Sequence, residues 1–306
     1  MSFTTSNELI ARAGKIVVLP RKYWTFEFST RSGSRHSNLL LFVAGLTDNI
    51  CSVGYLPPLA EELDTIGWST AQIMASSAGS GFGLVSLASD VQQISEVVSY
   101  FRDQGFNKIV LMGHSTGCQD CLAYQTPVLP SSKAADRAKL DGYILQAPVS
   151  DAEAISQELS QDLIDESIEV AKQLYTSESP LAIVPLKYSK NMFGSIPITA
   201  LRWLALFQPR GMDDFFSTYL TEQDLQQTFA NLNTSSLFLM SGADQFVPTT
   251  VDKHALLARW KQIAPVEHWS DMSTVISNAT HSLNADKSDP PTADLIAIVK
   301  LYLQSL

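Results

Sequence analysis

The clearest chemical signal in this chain is the run Gly113-His114-Ser115-Thr116-Gly117, which fits G-x-S-x-G. A serine hydroxyl is a weak nucleophile at neutral pH. It needs a base within hydrogen-bond reach, and the base needs a partner that fixes its tautomer. Two later positions can supply these groups. Asp244 sits in Gly242-Ala243-Asp244, and His281 sits in Asn278-Ala279-Thr280-His281-Ser282-Leu283. The expected catalytic residues are therefore Ser115, Asp244 and His281, in an order that matches one known arrangement of serine, acid and histidine. His268 is the rival base, and Asp271 and Asp286 are the rival acids.

The elements around these residues are those the chemistry requires. Residues 109–112 form a short apolar run before the pentapeptide, and the residues after it tolerate helix up to Gln125, with Pro127 closing the segment. A strand, a tight glycine-flanked turn and a helix hold the serine hydroxyl above a sheet edge and aim backbone amides at the charge that develops there. The second oxyanion amide is expected from the loop after strand 39–43, at Leu46 or else Thr47, to act with that of Thr116. The same pattern also suits an ordinary strand-to-helix turn with Ser115 as an N-cap.

Further strands are expected at 14–20, 23–29, 72–77, 142–147, 236–240 and 266–269, with the first two paired antiparallel at a sheet edge. Helices are expected at 56–66, 87–101 and 251–263, with a last one from Pro290. From Leu39 onward strands and helices alternate, which predicts a mostly parallel sheet with helices on both faces. The alternation breaks after Ser150. One apolar stripe runs through Ile155, Leu159, Leu163, Ile168, Ala171 and Leu174, and an aromatic-rich stretch follows before the strand at Ser236. The organisation read from this is an α/β-hydrolase core of residues 1–150 and 233–306, with a helical cap at 151–232. The glycine-rich segment 77–83 lacks the spacing of a phosphate loop and is expected to border the site.

Composition narrows the function. The chain has 306 residues, 45% hydrophobic and 17% charged, with a formal net charge of −10. Such a balance argues against nucleic acid and anionic membrane as partners and suits neutral or cationic small molecules. Cys51, Cys118 and Cys121 make no disulfide framework, and Cys118 and Cys121, without a second pair, are expected to pack rather than bind zinc. No metal or organic cofactor is expected. The first fifteen residues lack an uninterrupted apolar run, so no signal peptide is expected, and a cytoplasmic location is the default.

The segment Leu111-Met112-Gly113-His114-Ser115-Thr116-Gly117-Cys118-Gln119-Asp120 resembles the elbow of a fungal α/β-hydrolase family long labelled a domain of unknown function. Segments 42–48, 77–83, 146–151 and 242–244 match as well, and the resemblance runs from around Asn38 to the C-terminus. It implies a serine esterase that cleaves ester bonds of fusarinine-type hydroxamate siderophores inside the cell, so that iron is released. The partner it implies is a small-molecule ester, with a ferric siderophore among the options. Fusarinine units carry ammonium groups, and Asp213 and Asp214, beside Phe215 in the cap, are the expected contacts for them. One departure is visible: Ala152 follows Asp151, where the family usually has a basic residue. The residues alone leave open a general carboxylesterase, a thioesterase, an acyltransferase, or a non-catalytic binding protein of the same fold.

Overall fold

The computed structural model describes residues 13–19, 23–129 and 136–306. The N-terminal segment read for a signal peptide, Pro20 at the end of the first expected strand, and part of the polar link before Lys139 lie outside the described residues. Eight strands form one sheet: β1 Gly14–Val18, β2 Trp24–Phe28, β3 Asn38–Val43, β4 Trp68–Met74, β5 Lys108–His114, β6 Gly142–Gln146, β7 Ser236–Ser241 and β8 Thr274–Ile276. Their spatial order is β1-β2-β4-β3-β5-β6-β7-β8. Only the β1–β2 and β2–β4 pairings are antiparallel. All later pairings are parallel, so the carboxyl ends of β3, β5, β6, β7 and β8 share one edge.

The apolar runs of the central strands are explained by burial on two faces. Successive side chains point to opposite sides of a strand. Leu39, Leu41, Ile109, Leu111, Leu145 and Phe238 accordingly join one core cluster, while Leu40, Phe42, Val110, Met112, Ile144 and Leu237 join another. Helix α1 (Leu56–Asp64) covers the second face, starting with its two prolines in the first turn. Helices α2 (Leu87–Asp103) and α3 (Gly117–Gln125) cover the first.

Between β6 and β7 the chain leaves the sheet. Short helix α4 (Asp151–Ala154) is followed by α5 (Gln161–Ser177), α6 (Lys190–Phe193), α7 (Ala200–Phe207) and α8 (Glu222–Gln226). The expected single stripe from Ile155 to Leu174 is broken, because Ser160 takes an extended conformation and becomes the N-cap of α5. Ser150 caps α4 by accepting a hydrogen bond from the Glu153 amide, while the Glu153 carboxylate accepts from the Thr218 amide. Ile155 to Phe207 form a separate apolar cluster around Trp203, together with Phe82 from the core. Phe215, Phe216, Leu220, Leu225, Phe229 and Leu232 pack on the sheet instead, with Phe229 stacked on Trp260 at 5.1 Å. The segment 151–232 thus contains two parts: one with its own core, and one fastened to the sheet.

After β7 come α9 (Lys253–Ile263), β8 and α10 (Pro290–Ser305). The strand expected at 266–269 is not there. Those residues form a turn with Val266 exposed, and the last strand is β8. The apolar signal came from Trp269, which stacks on Phe238 at 4.5 Å and makes only a single bridge to Ser236. Strand β4 also begins earlier than expected, at Trp68. Among the described residues, no helix is long and apolar enough to cross a membrane.

Candidate active site

The site is built at the carboxyl edge of the sheet, where α/β folds gather ligands. Ser115 follows β5 directly and has φ +55°, a strained conformation for a residue with a side chain. Its amide is anchored to the Gln146 carbonyl at 3.0 Å. The flanking glycines are required by space. A Cβ on Gly113 would lie 2.1 Å from the Gly117 carbonyl oxygen, and one on Gly117 would lie 2.4 Å from that of Val43. Gly45, in the loop after β3, approaches the serine so closely that a Cβ there would meet Ser115 Cβ at 2.7 Å and Oγ at 3.2 Å.

That loop is folded by Asp48. Its carboxylate accepts from the Gly45 amide at 3.1 Å and from Ser52 Oγ at 2.8 Å, and Thr47 is held at φ +67°. The Gly45 amide is thereby occupied. Among the described residues, the Leu46 and Thr116 amides donate no hydrogen bond to the protein.

The loops after β7 and β8 clasp one another. The Gly242 amide donates to the Ile276 carbonyl at 2.9 Å, and that of Ala243 to the Ala279 carbonyl at 2.8 Å. This brings His281 Nδ1 to 2.8 Å from Asp244 Oδ2, while Asp244 Oδ1 accepts from the Phe246 amide at 2.9 Å. Both side chains are buried. The Phe246 ring meets the imidazole edge-on at 4.7 Å. Because a carboxylate only accepts, Nδ1 carries the proton and Nε2 is left with its lone pair.

The rival residues lie elsewhere. The His268 carbonyl pairs with the Ser236 amide at the start of β7, the opposite edge of the sheet. Asp271 is an exposed partner of Lys261, and Asp286 is tied into a turn with Ser288. His36 pairs with Asp64 ahead of β3.

A buried network under the site escaped the sequence reading. Gln146 Oε1 accepts from Tyr55 OH at 3.0 Å and from His114 Nδ1 at 2.5 Å. Its Nε2 donates to Ser241 Oγ at 3.1 Å and to the His281 carbonyl at 3.2 Å. Burial, and then neighbouring His281, push His114 down to about 3, so it is neutral. Its ring lies 5.0 Å from that of His281. A polar Gln146 at the end of an otherwise apolar strand was the available signal.

The expected substrate carboxylates are not open to solvent. Asp213 forms a buried ion pair with Arg202. Asp214 accepts from Ser217 Oγ, from Tyr219 OH at 2.6 Å and from the Arg210 amide at 2.9 Å. Phe215 belongs to the core cluster on the sheet. Asp214 is thus engaged by protein donors and Phe215 packs on the sheet rather than within the cap core, whereas Asp213 borders a small cavity beside Leu46 and Thr116. Ser77 and Phe82, from the glycine-rich segment, line the same cavity. Cys118 and Cys121 are buried and free, and burial pushes both thiols up. Among the described residues, no cluster of metal-ligating side chains is present.

The model of a protein family of unknown function, DUF1749, matches residues 4–304. The chain belongs to the DUF1749 family. A UPF0613 protein of Schizosaccharomyces pombe is 38% identical over 269 residues, covering 83% of each chain. The fusarinine C esterase SidJ of Aspergillus fumigatus is 32% identical, covering 92% of this chain and 93% of the other. Among solved structures, the siderophore hydrolase EstB from Aspergillus fumigatus superimposes with a TM-score of 0.82 at 31% identity, over 96% of this chain and 98% of the other. More distant structures such as Est1E from Butyrivibrio proteoclasticus, at 14% identity and a TM-score of 0.58, share the α/β-hydrolase fold of this DUF1749 chain. Its relatives include esterases, which supports ester hydrolysis as the general activity.

Proposed function

We propose that this protein is a serine esterase in which Ser115 is the nucleophile, His281 the general base and acid, and Asp244 the residue that orients and stabilises the imidazole. The observation that carries this reading is the buried His281–Asp244 hydrogen bond of 2.8 Å, at the same sheet edge as a serine held at φ +55°. With Nδ1 protonated, Nε2 is free to take the Ser115 proton as Oγ attacks an ester carbonyl. The amides of Leu46 and Thr116 are the proposed oxyanion donors, each worth about 3–4 kcal/mol on removal. His281 then protonates the leaving alcohol, and water attacks the acyl-enzyme by the same route.

The substrate class proposed is the ester linkage of hydroxamate siderophores, cleaved for intracellular iron release. It is supported by similarity along nearly the whole chain to a fusarinine C esterase and a siderophore hydrolase. The division into an α/β core and a cap at 151–232 is part of the same proposal, with Ile155 to Phe207 as the cap core. The test is turnover of a desferri-fusarinine and its ferric complex by wild type and Ser115→Ala, read as linear fragments by mass spectrometry. Wild type should release fragments and label with a fluorophosphonate, and Ser115→Ala should do neither. Full turnover by Ser115→Ala would remove the mechanism. Cleavage of short aryl esters alone would leave the esterase and remove the siderophore.

A further inference from the structure

The loop between β3 and α1 carries the Leu46 amide, and its backbone is strained. Thr47 at φ +67° and Cys51 at φ +58° both occupy the left-handed region, and neither is glycine. Such conformations persist only where the surroundings over-determine them. Part of the restraint lies within the loop. The Asp48 carboxylate accepts from the Gly45 amide at 3.1 Å, and the Asp48 amide donates to the Gly45 carbonyl at 3.3 Å. A trans peptide directs its carbonyl and its N–H to opposite sides. With the Gly45 carbonyl turned to Asp48, the Leu46 N–H of the same peptide unit points away from Asp48, while Gly45 itself lies against Ser115.

The rest of the restraint comes from β4. Gln72 pairs in register with Phe42 near the end of β3 and so shares its face of the sheet. Around it that face is apolar, with Leu40, Phe42 and Tyr55 in one core cluster. Gln72 is buried, and a buried amide needs partners. Both ends of its side chain go to the backbone of the loop. Oε1 accepts from the Cys51 amide at 2.9 Å, and Nε2 donates to the Asn49 carbonyl at 3.0 Å. Beyond the end of β4, the Gly79 amide donates to the Asp48 carbonyl at 2.8 Å. Asp48 is therefore held directly by Gly79 and, through residues 49–51, by Gln72.

We propose that Gln72 is a positioning residue for ester hydrolysis: it clamps the loop so that the Leu46 amide faces the developing oxyanion. The inference rests on the serine-esterase reading above and adds the residue that keeps half of its oxyanion hole in shape. Gln72 acts through Asn49, Cys51 and Asp48, not on the substrate. Without the clamp, Cys51 and Thr47 can relax out of the left-handed region, and the hold of Asp48 on the Gly45–Leu46 peptide loosens. An oxyanion donor stabilises the transition state only when it is already aimed at the position the charge will occupy.

The test uses Gln72→Met, which keeps side-chain length and removes both polar atoms, with Gln72→Asn in its place if the methionine variant does not fold. The substrates are phenyl acetate and O-phenyl thionoacetate, in which sulfur replaces the carbonyl oxygen. Sulfur accepts hydrogen bonds weakly, so the thionoester gains little from the hole. Wild type should prefer the oxygen ester in kcat. In the variant, kcat for phenyl acetate should fall by about tenfold or more, part of the hundredfold or greater loss that follows removal of a donor. KM should stay within about twofold, and the preference for oxygen over sulfur should shrink by the same factor as kcat. A merely structural disturbance of the site would slow both esters alike and leave that ratio unchanged. Phenyl acetate turnover by wild type and its loss in Ser115→Ala report on the serine-esterase reading, and the ratio reports on Gln72, so the two can fail separately. An unchanged kcat in the variant, an equal loss on both esters, or a wild type with no preference for oxygen would overturn the proposal.

Discussion

Replacing Gln146 by methionine tests whether the buried network supports the site. The change keeps side-chain length and removes both polar atoms. Gln146 is fully buried, and its amide serves four groups: Tyr55 OH and His114 Nδ1 as donors, Ser241 Oγ and the His281 carbonyl as acceptors. In the variant the two donors have no replacement in view, because water does not reach them. Each orphaned buried donor costs about 1–3 kcal/mol, so Gln146→Met should lose about 2–6 kcal/mol of stability. Urea denaturation reads this as a lower midpoint with an unchanged slope. Tyr55→Phe then supplies the sharper measurement. In wild type it removes a hydrogen bond and should cost roughly 1 kcal/mol. In the Gln146→Met background it removes an orphaned donor and should stabilise. If Tyr55→Phe costs the same in both backgrounds, the hydroxyl and the amide are not coupled and the reasoning fails.

Two further outcomes follow from the same geometry. In Asp244→Asn, the side-chain oxygen satisfies either the Phe246 amide or His281 Nδ1, not both; keeping Phe246 turns the NH2 toward Nδ1 and moves the imidazole proton to Nε2. The catalytic rate on an aryl ester should fall by about 10⁴ with the fold intact by circular dichroism, and a loss below tenfold would contradict Asp244 as the orienting acid. Asp90 concerns stability. Its folded pKa is raised to about 6, above the unfolded carboxylate value, so the folded state holds more protons in between. Stability is then full below about pH 4 and declines as pH rises toward about 6. Asp90→Asn should be more stable than wild type at pH 7 and flatter across that window in urea titrations. A steeper dependence in the variant would reverse the assignment.

Much of the architecture was legible because its causes are local. The runs at Leu39–Val43 and in β5, β6 and β7 are apolar on both sides, which happens when helices cover both faces. The elbow was legible because a strained serine turn tolerates only glycine at positions 113 and 117. Where reading failed, long-range packing had replaced local preference. Trp269 gave an apolar signal because it stacks on Phe238, not because it lies in a strand, and Ser160 interrupts a stripe that continues in sequence.

The residue types and their spacing along the chain determined the α/β-hydrolase core, the strand–turn–helix around Ser115 and the order of serine, acid and histidine, since each depends on neighbours within a few positions. Tertiary structure alone decided which side chains meet. It paired His281 with Asp244, and it set Gln146 beneath the site through contacts spanning 91 and 135 residues. It also turned Asp213 inward onto Arg202. Such encounters depend on how helices and loops close over the sheet, and a carboxylate's neighbours in sequence carry no record of the cavity it will line.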